Sequence, residues 1–357
     1  MTDDLTLIAG GRRISGWNSI RVTRGIERMP SDFALSMTER FPGELDFVVQ
    51  PGDTCQAFLG EDLVINGYVD RYTPAIDGNS HSIGIAGRGR CADLVDCAAT
   101  WPGWQISATN ALDIAQKLGR PYGISARNLS DAGPRIPQFP LNPGETAYSV
   151  IEKVCRFAAL LVYEDTDGTL ILSRIGSIKA ASGFTQGVNV QSAALTYSQD
   201  QRYSQYDCMM QSMAVLNDVG TGGFQKSRAV DSGVLRYRNK LLTVESGAAG
   251  FEVTKHRVQW EMARRFGRSF SLRVVTDSWR DSAGTLYTPN TLVDLSLPLL
   301  KCVNQTWVIS EVTYKLEEES GTSCELTIMP QEAFSVQPIL LQPITPDVPS
   351  QPGAPAK

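Results

Sequence analysis

The chain has 357 residues, 42% of them hydrophobic and 20% charged, with a formal net charge of −5. This length predicts two or three domains, and the apolar share is enough to build real cores. Met1–Asp4 lacks a charged-then-apolar leader, and the longest apolar run, Ala158 to Tyr163, is far short of the roughly 20 residues of a spanning helix; the expectation is a soluble protein made in a cytoplasm, without stable membrane insertion.

Leu5, Leu7 and Ile8 begin a strand, Gly10-Gly11 turns it, and Ile14 to Thr23 is expected to return as its partner. From Arg21 to Ala99 apolar residues mostly alternate: Phe33, Leu35 and Met37, then Phe47 and Val49, then Ala57 and Leu59, then Val64 and Tyr68. Period 2 over short runs predicts half-buried antiparallel strands. Pro42-Gly43, Pro51-Gly52, Gly60, Asn66-Gly67 and Asp77-Gly78 stand between the runs as turn signals, Asn66-Gly67 as a hairpin signal. Strands this short and closely spaced suggest a small barrel or sandwich closed on itself, and Cys91, Leu94, Val95 and Ala98 at helical spacing predict a short helix that closes this first barrel.

A different region opens at Trp101-Pro102-Gly103-Trp104. Thr109 is placed to cap a helix with Ala111, Leu112, Ala115 and Leu118 on one face and Gly119 at its end. Pro121, Pro134, Pro137, Pro140 and Pro143 exclude a helix or central strand from the loop that follows. Val150, Val154, Phe157, Ala158 and Leu161 predict a second helix. Leu160–Glu164 and Leu170–Arg174 flank Asp165-Thr166-Asp167-Gly168 as a hairpin. Together these form a small inserted α+β domain.

Gln191 to Asp218 returns to strand patterning and is expected to rejoin the first barrel. Gly220 to Gly223 reads as a flexible break. Leu241–Val244 is a strand, Phe251–Phe266 a helix, and Phe270–Thr276, Leu292–Leu297, Trp307–Leu316 and Cys324–Ile328 are strands, the last pair joined through Glu317–Gly321. This is a second β-rich barrel with one helix, sharing no visible sequence identity with the first. After Phe334 the chain becomes Pro-rich and nearly uncharged, which predicts an extended or disordered tail.

Chemistry-bearing patterns are few. Gly87-Arg88-Gly89-Arg90-Cys91-Ala92 matches a dinucleotide fingerprint, but the strands before it alternate as antiparallel ones do, so a tight strand-to-helix turn is the simpler reading. Asp165-x-Asp167-Gly168 echoes a calcium loop without its third acidic ligand or closing Glu. Glu252 and His256 are spaced i, i+4, and two ligands do not make a site. Cys55, Cys91, Cys97, Cys155, Cys208, Cys302 and Cys324 are odd in number and form no Cys-x-x-Cys, so they read as core residues in a reducing compartment. No nucleophile elbow or phosphate loop is present; paired-carboxylate hydrolysis stays open because carboxylate separation is a three-dimensional quantity. Trp101 and Trp104 are candidates for a protein interface. Lys226 to Arg273 carries +7 and leaves −12 for the rest. That segment is a solvated or intersubunit basic face or, alternatively, a surface facing DNA in transit without sequence choice.

Pro30-Ser31-Asp32-Phe33, "VQPGD" at Val49–Asp53, "INGYVDRY" at Ile65–Tyr72 and "GRGRCADLVDCAA" at Gly87–Ala99 carry a resemblance to the baseplate hub (tail) proteins of Mu-like contractile-tailed phages. It continues through "HRVQWEMARR" to the final "MPQEAF" and extends to the N-terminal hub region of VgrG spike proteins of type VI secretion. The resemblance implies a β-rich α+β fold: two small antiparallel β-barrel domains with an inserted α+β domain, assembling as a trimeric ring. The boundaries are 1–98 for the first barrel (completed by about 190–218), 99–189 for the insert, 219–335 for the second barrel and 336–357 for the disordered tail. It implies a structural hub that joins a sixfold tail tube to a threefold spike, with a channel for DNA. The partners are two further copies, the tube and spike proteins, and transiently phage DNA. The expected place is the virion baseplate, after assembly in the host cytoplasm. No catalytic, cofactor-binding or metal residues are expected and no enzymatic activity. The alternatives are a tail-associated cell-wall hydrolase or a type VI secretion spike component.

Overall fold

The computed structural model describes residues 4–38, 49–78, 81–130, 132–176, 178–211, 224–244 and 251–335. The chain divides into two compact units, Met1–Arg202 with Ala263–Val336, and Tyr203–Met262 with Gln337–Lys357. The readings of Pro42-Gly43, Phe47 and Gly220–Gly223, and of the tail from Val336 on, lie outside the described residues.

The first unit opens with β1 (Leu5–Ala9), β2 (Arg12–Ile14), β3 (Ser19–Gly25), β4 (Asp32–Thr38), β5 (Thr54–Leu59), β6 (Asp62–Ile76), β7 (His81–Gly89) and α1 (Ala92–Asp96). The expected alternation holds: Phe33 and Leu35 of β4, and Ile83 and Ile85 of β7, are buried on one face. Only β2 returns on β1; β3 leaves to pair elsewhere, so the expected single return strand is two.

The inserted segment contains β8 (Gln105–Thr109), α2 (Ala111–Gly119), β9 (Ala126–Asn128), β10 (Ile136–Pro140), α3 (Ala147–Phe157), β11 (Leu161–Glu164) and β12 (Leu170–Ser173). The α2 cap is Asn110, whose side chain accepts from the Asp113 N–H, rather than Thr109. Thr146 caps α3 by accepting from Ser149. β11 and β12 form the expected hairpin, and β10, among the prolines, pairs with β8 alone among the described residues. Beyond it come β13 (Ile178–Lys179), β14 (Phe184–Thr185) and β15 (Ser192–Tyr197).

The second unit holds β16 (Gln205–Gln211), β17 (Phe224–Val230), β18 (Asn239–Val244) and most of α4 (Phe251–Arg268). β16 is the middle strand, antiparallel to β17 and parallel to β18. Tyr206, Cys208, Leu242 and Val258 form its small core. The stretch expected to complete the first barrel therefore divides: β15 pairs with β19 and β16 belongs to this separate sheet. Alternation marks a strand but does not name its neighbour.

The first unit ends with β19 (Phe270–Thr276), β20 (Thr291–Leu297), β21 (Cys302–Glu317) and β22 (Gly321–Met329). The strand order β4-β7-β6-β5 recurs as β19-β22-β21-β20, antiparallel throughout. The third strand of each set is long, 15 and 16 residues, and is followed by one of nine. Each long strand shifts register at its middle, at Val69/Arg71 and at Ile309/Glu311, and a bulge there bends the strand. β3 flanks β4 as β15 flanks β19. The same four-strand motif thus occurs twice in this unit.

β3 also pairs with β21, so both motifs join one fourteen-stranded sheet whose path ends at β2 and β15; among the described residues the pairings close neither half into a separate barrel. Buried residues of both halves, from Leu5, Phe33 and Ile85 to Val274, Trp279 and Leu326, belong to one apolar cluster.

Asn66-Gly67 is not the expected hairpin. It lies inside β6, and the turn from β5 falls at Gly60-Glu61. Gly67 faces Gly89 across the ladder, and a Cβ on Gly67 would stand 1.9 Å from the Arg88 carbonyl oxygen. The glycine serves close backbone approach, which is what glycine inside a strand marks. Gly67→Ala is expected to cost about 3 kcal/mol, read as a lowered urea midpoint; an unchanged midpoint would refute the steric account.

Candidate functional site

The Gly87–Ala92 motif is explained by packing. β7 lies antiparallel between β4 and β6, so the parallel strand that a dinucleotide fold requires is not its neighbour. A Cβ on Gly87 would stand 2.6 Å from the Phe33 ring, and one on Gly89 would stand 2.1 Å from Glu164 Oε2. Glu164, at the end of β11 and 4% exposed, accepts from the Ser31 N–H at 2.9 Å and the Cys91 N–H at 2.8 Å. Burial pushes its carboxyl above the ordinary range, against the two N–H donors and the charge of Arg24. Glu164 thereby ties the inserted segment to β4 and β7. The sequence reading placed it at a strand end and missed this role; the only available signal was an acidic residue closing the apolar run Leu160–Tyr163.

Arg88 pairs with Asp70 at 2.6 Å and with Asp96 at 2.9 Å. It lines a polar groove of about 750 Å³ with Arg21, Arg28, Asp32, Asp70 and Arg71. Asp32 binds both Arg21 and Arg28 at 2.6 Å, and Arg28 reaches Glu311 at 3.3 Å. The carboxylates offset most of the cationic charge, so the groove is a belt of ion pairs across β3, β4, β6, β7 and β21.

Trp101 and Trp104, the interface candidates, lie on one groove. They line an open groove of about 600 Å³ with Pro102, Lys117, Arg120 and Pro121. Trp104 is 46% exposed in a left-handed backbone conformation, and Lys117 stands 5.4 Å from the Trp101 ring centroid, held by Asp113 at 2.6 Å.

The acidic turn is a hairpin: Asp165 pairs with Arg127, and Asp167 accepts from Thr169 at 2.8 Å. No group of three or more metal-ligating side chains occurs among the described residues. His256 is exposed on α4, and the side chain of Glu252 lies outside the described residues. All seven cysteines are free, six of them buried, and burial pushes the Cys55 and Cys155 thiols up to about 12. Several of the Lys226–Arg273 cations are locally paired. Arg228 bonds Asp207 at 2.7 Å, Arg264 and Arg268 reach Glu27, and Arg273 meets Glu325 at 2.6 Å. Desolvation works to raise the Asp207 carboxyl, but hydrogen bonds from Arg228, Gln205 and Asn239 hold it below its ordinary range.

The architecture is therefore a double strand motif with an inserted segment and no assembled reactive cluster among the described residues. Three family profiles match the chain. Residues 4–89 match the N-terminal part of the Mu phage baseplate assembly protein GpP-like family. Residues 91–174 match the second domain of the baseplate hub protein gp44-like family, and residues 251–337 match the fourth domain of the Mu phage baseplate assembly protein GpP. The baseplate hub protein gp44 of Escherichia phage Mu is 30% identical over 346 residues, which cover 94% of this chain and 90% of that protein. The 43 kDa tail protein of prophage MuSo2 from Shewanella oneidensis has a crystal structure that matches with a TM-score of 0.82. It is 27% identical, over 94% of this chain and all of that one. A component of the Escherichia coli type VI secretion system, described as structurally similar to the T4 tail proteins gp27 and gp5, shares the fold. Its TM-score is 0.57 at 10% identity, over 91% of this chain and 76% of that one. Identity at this level over nearly the whole chain shows the family: this chain belongs to the family of the phage Mu baseplate hub protein gp44.

Proposed function

We propose that this baseplate hub protein works as a homotrimeric ring between a sixfold tail tube and a threefold spike, with DNA passing through the bore. The observation that carries this reading is the recurrence of one strand motif, β4-β7-β6-β5 and β19-β22-β21-β20, within a single chain. Three copies of a chain with two like motifs offer six like surfaces around an axis. A threefold object then meets a sixfold partner without distorting either. On this reading each motif is one barrel-like domain of the ring, the segment from about 99 to 189 is a separate insert, and the protein resides in the virion baseplate after assembly in the host cytoplasm. The role is structural and non-enzymatic. The paired charges around Asp207, Glu27 and Glu325 suit contact faces within such an assembly.

Sedimentation velocity and negative-stain electron microscopy of the purified protein test the reading. The expected result is a mass of three chains and a ring with a hexagonal rim. A strict monomer at high concentration, alone and with the spike protein, would contradict it. A peptidoglycan zymogram with a clearing band would instead favour the cell-wall hydrolase.

A further inference from the structure

The two motifs are not equally completed at their edges. In the first, β3 pairs with β4 on one side and on the other with β21 beyond its bulge, Ser19–Gly25 running against Glu311–Glu317. The registers align the motifs residue by residue. Asp70 and Ser310 are the extra residues at the bulges, so Thr73, Pro74 and Ile76 of β6 correspond to Thr313, Tyr314 and Leu316 of β21. Through β7 and β22, Phe33 of β4 corresponds to Leu272 of β19. Ala193, Leu195 and Thr196 of β15 then correspond to Ile20, Val22 and Thr23 of β3.

The seam β3–β21 therefore has a counterpart that the described residues of one chain do not form. β15 pairs only with β19, and β6 beyond its bulge pairs only with β7, among the described residues. Neither edge has a further strand partner among the described residues, and Arg71 is the one charged residue on the two. Ser192–Tyr197 is exposed or half-exposed throughout, and Thr73, Pro74 and Ala75 are exposed, with Ile76 80% exposed. Edges with so little charge are rare on proteins that keep them unpaired. The far end of the same sheet shows the usual protection: β2 has three residues and carries exposed Arg12 and Arg13.

We infer that β15 of one copy pairs antiparallel with residues 71–76 of a second copy, repeating between chains the seam that β3 and β21 form within one. The transferred register sets Thr196 opposite Thr73, Leu195 opposite Pro74 and Ala193 opposite Ile76. In the internal seam the hydroxyls of Thr23 and Thr313 lie 3.1 Å apart; both counterparts are threonines, each exposed in the single chain. The hydrogen-bond phase agrees. Ser198 donates to the Ser269 carbonyl, so the even-numbered residues of β15 bond inward to β19, and Ala193, Leu195 and Tyr197 turn theirs outward. The Leu195 N–H then meets the Pro74 carbonyl. Proline lacks only the return donor, which removes one bond of the ladder and hinders casual strand addition at that edge. The seam joins two different edges, so it is heterologous and closes a ring instead of a twofold dimer. It deepens the ring reading and rests on it: three internal seams alternate with three between copies.

The test is a full-length Thr73→Cys, Thr196→Cys double variant. Directly opposed residues at a non-hydrogen-bonded antiparallel position have Cα atoms about 4.5 Å apart, within disulfide range. After mild oxidation, a non-reducing gel is expected to show dimer and trimer bands, none larger, that reductant abolishes. The parent, with its own seven free cysteines, and the out-of-register pair Thr73→Cys, Ser192→Cys are expected to show none. A protein that sediments as a trimer without cross-linking overturns this seam and leaves the ring standing; a monomer without cross-linking overturns both. Equal cross-linking of the out-of-register pair, or bands that stop at dimer, also overturns it. Should the double variant fail to fold, Thr196→Lys keeps the question open to measurement. Conversion of trimer to monomer is expected, and an unchanged trimer overturns the seam.

Discussion

Replacing Glu164 with alanine is expected to destabilise the first unit by about 3–5 kcal/mol. The substitution strands two buried donors, the N–H groups of Ser31 and Cys91, whose partners are the two carboxylate oxygens. It also removes a negative charge that interacts with buried Arg24, whose ion-pair partner is Asp165 at 3.7 Å. Glutamine is not a rescue, because its amide NH₂ would confront one of the same donors. The two variants separate packing from ionisation. Desolvation, opposed by the Cys91 and Ser31 donors and by Arg24, leaves the folded carboxyl above its ordinary value of 4.5. The stabilisation tied to the protonated form is therefore fully present below the unfolded value and is lost as pH rises through the folded one. The stability of the parent relative to Glu164→Gln should fall across that window. Urea unfolding of parent, Glu164→Ala and Glu164→Gln from pH 4 to pH 7 measures all three. A gap that stays constant or widens with pH would show that the carboxyl is not raised, and a neutral alanine variant would remove Glu164 from the junction altogether.

Trp279→Ala should cost a similar amount, about 3–5 kcal/mol, as buried tryptophan truncations do. Trp279 is 1% exposed. Its indole N–H donates to the Lys315 carbonyl at 3.2 Å and the Ser323 carbonyl at 2.9 Å, bridging β21 and β22 near their turn. The ring meets Tyr314 edge-on with centroids 6.3 Å apart. The Tyr314 hydroxyl, fully buried, donates to the Tyr287 carbonyl. Truncation thus opens a cavity and frees two carbonyls at once. Trp279→Phe keeps most of the apolar volume and loses the donor, so it should fall between parent and alanine. Differential scanning calorimetry orders the three; phenylalanine no better than alanine would mean that the hydrogen bonds, not the volume, hold the hairpin.

Residues close in sequence were read correctly in most places. Helices α2 and α3 follow from apolar residues at steps of three and four, and the end of α2 from Gly119. The hairpins β11–β12 and β21–β22 follow from alternation interrupted by charged or glycine-bearing turns. The same local logic failed at Asn66-Gly67, because a glycine needed for a neighbouring strand looks, in one dimension, like a glycine needed for a turn. It failed at β15 and β16, where strand character was evident and strand partner was not. Glu164 was invisible for a related reason: its donors, Ser31 and Cys91, lie 133 and 73 residues away.

The amino-acid order by itself determined the β-rich character, the position of the helices, the absence of a recognisable catalytic signature and, through the motifs from Pro30 to Ala99, the family. Only the tertiary structure decided that one strand motif is used twice and that β3 sews the two together along β21. Alternation with period 2 fixes which face of a strand meets the core. The neighbour along its edge is chosen by backbone hydrogen bonds, which every residue except proline offers alike.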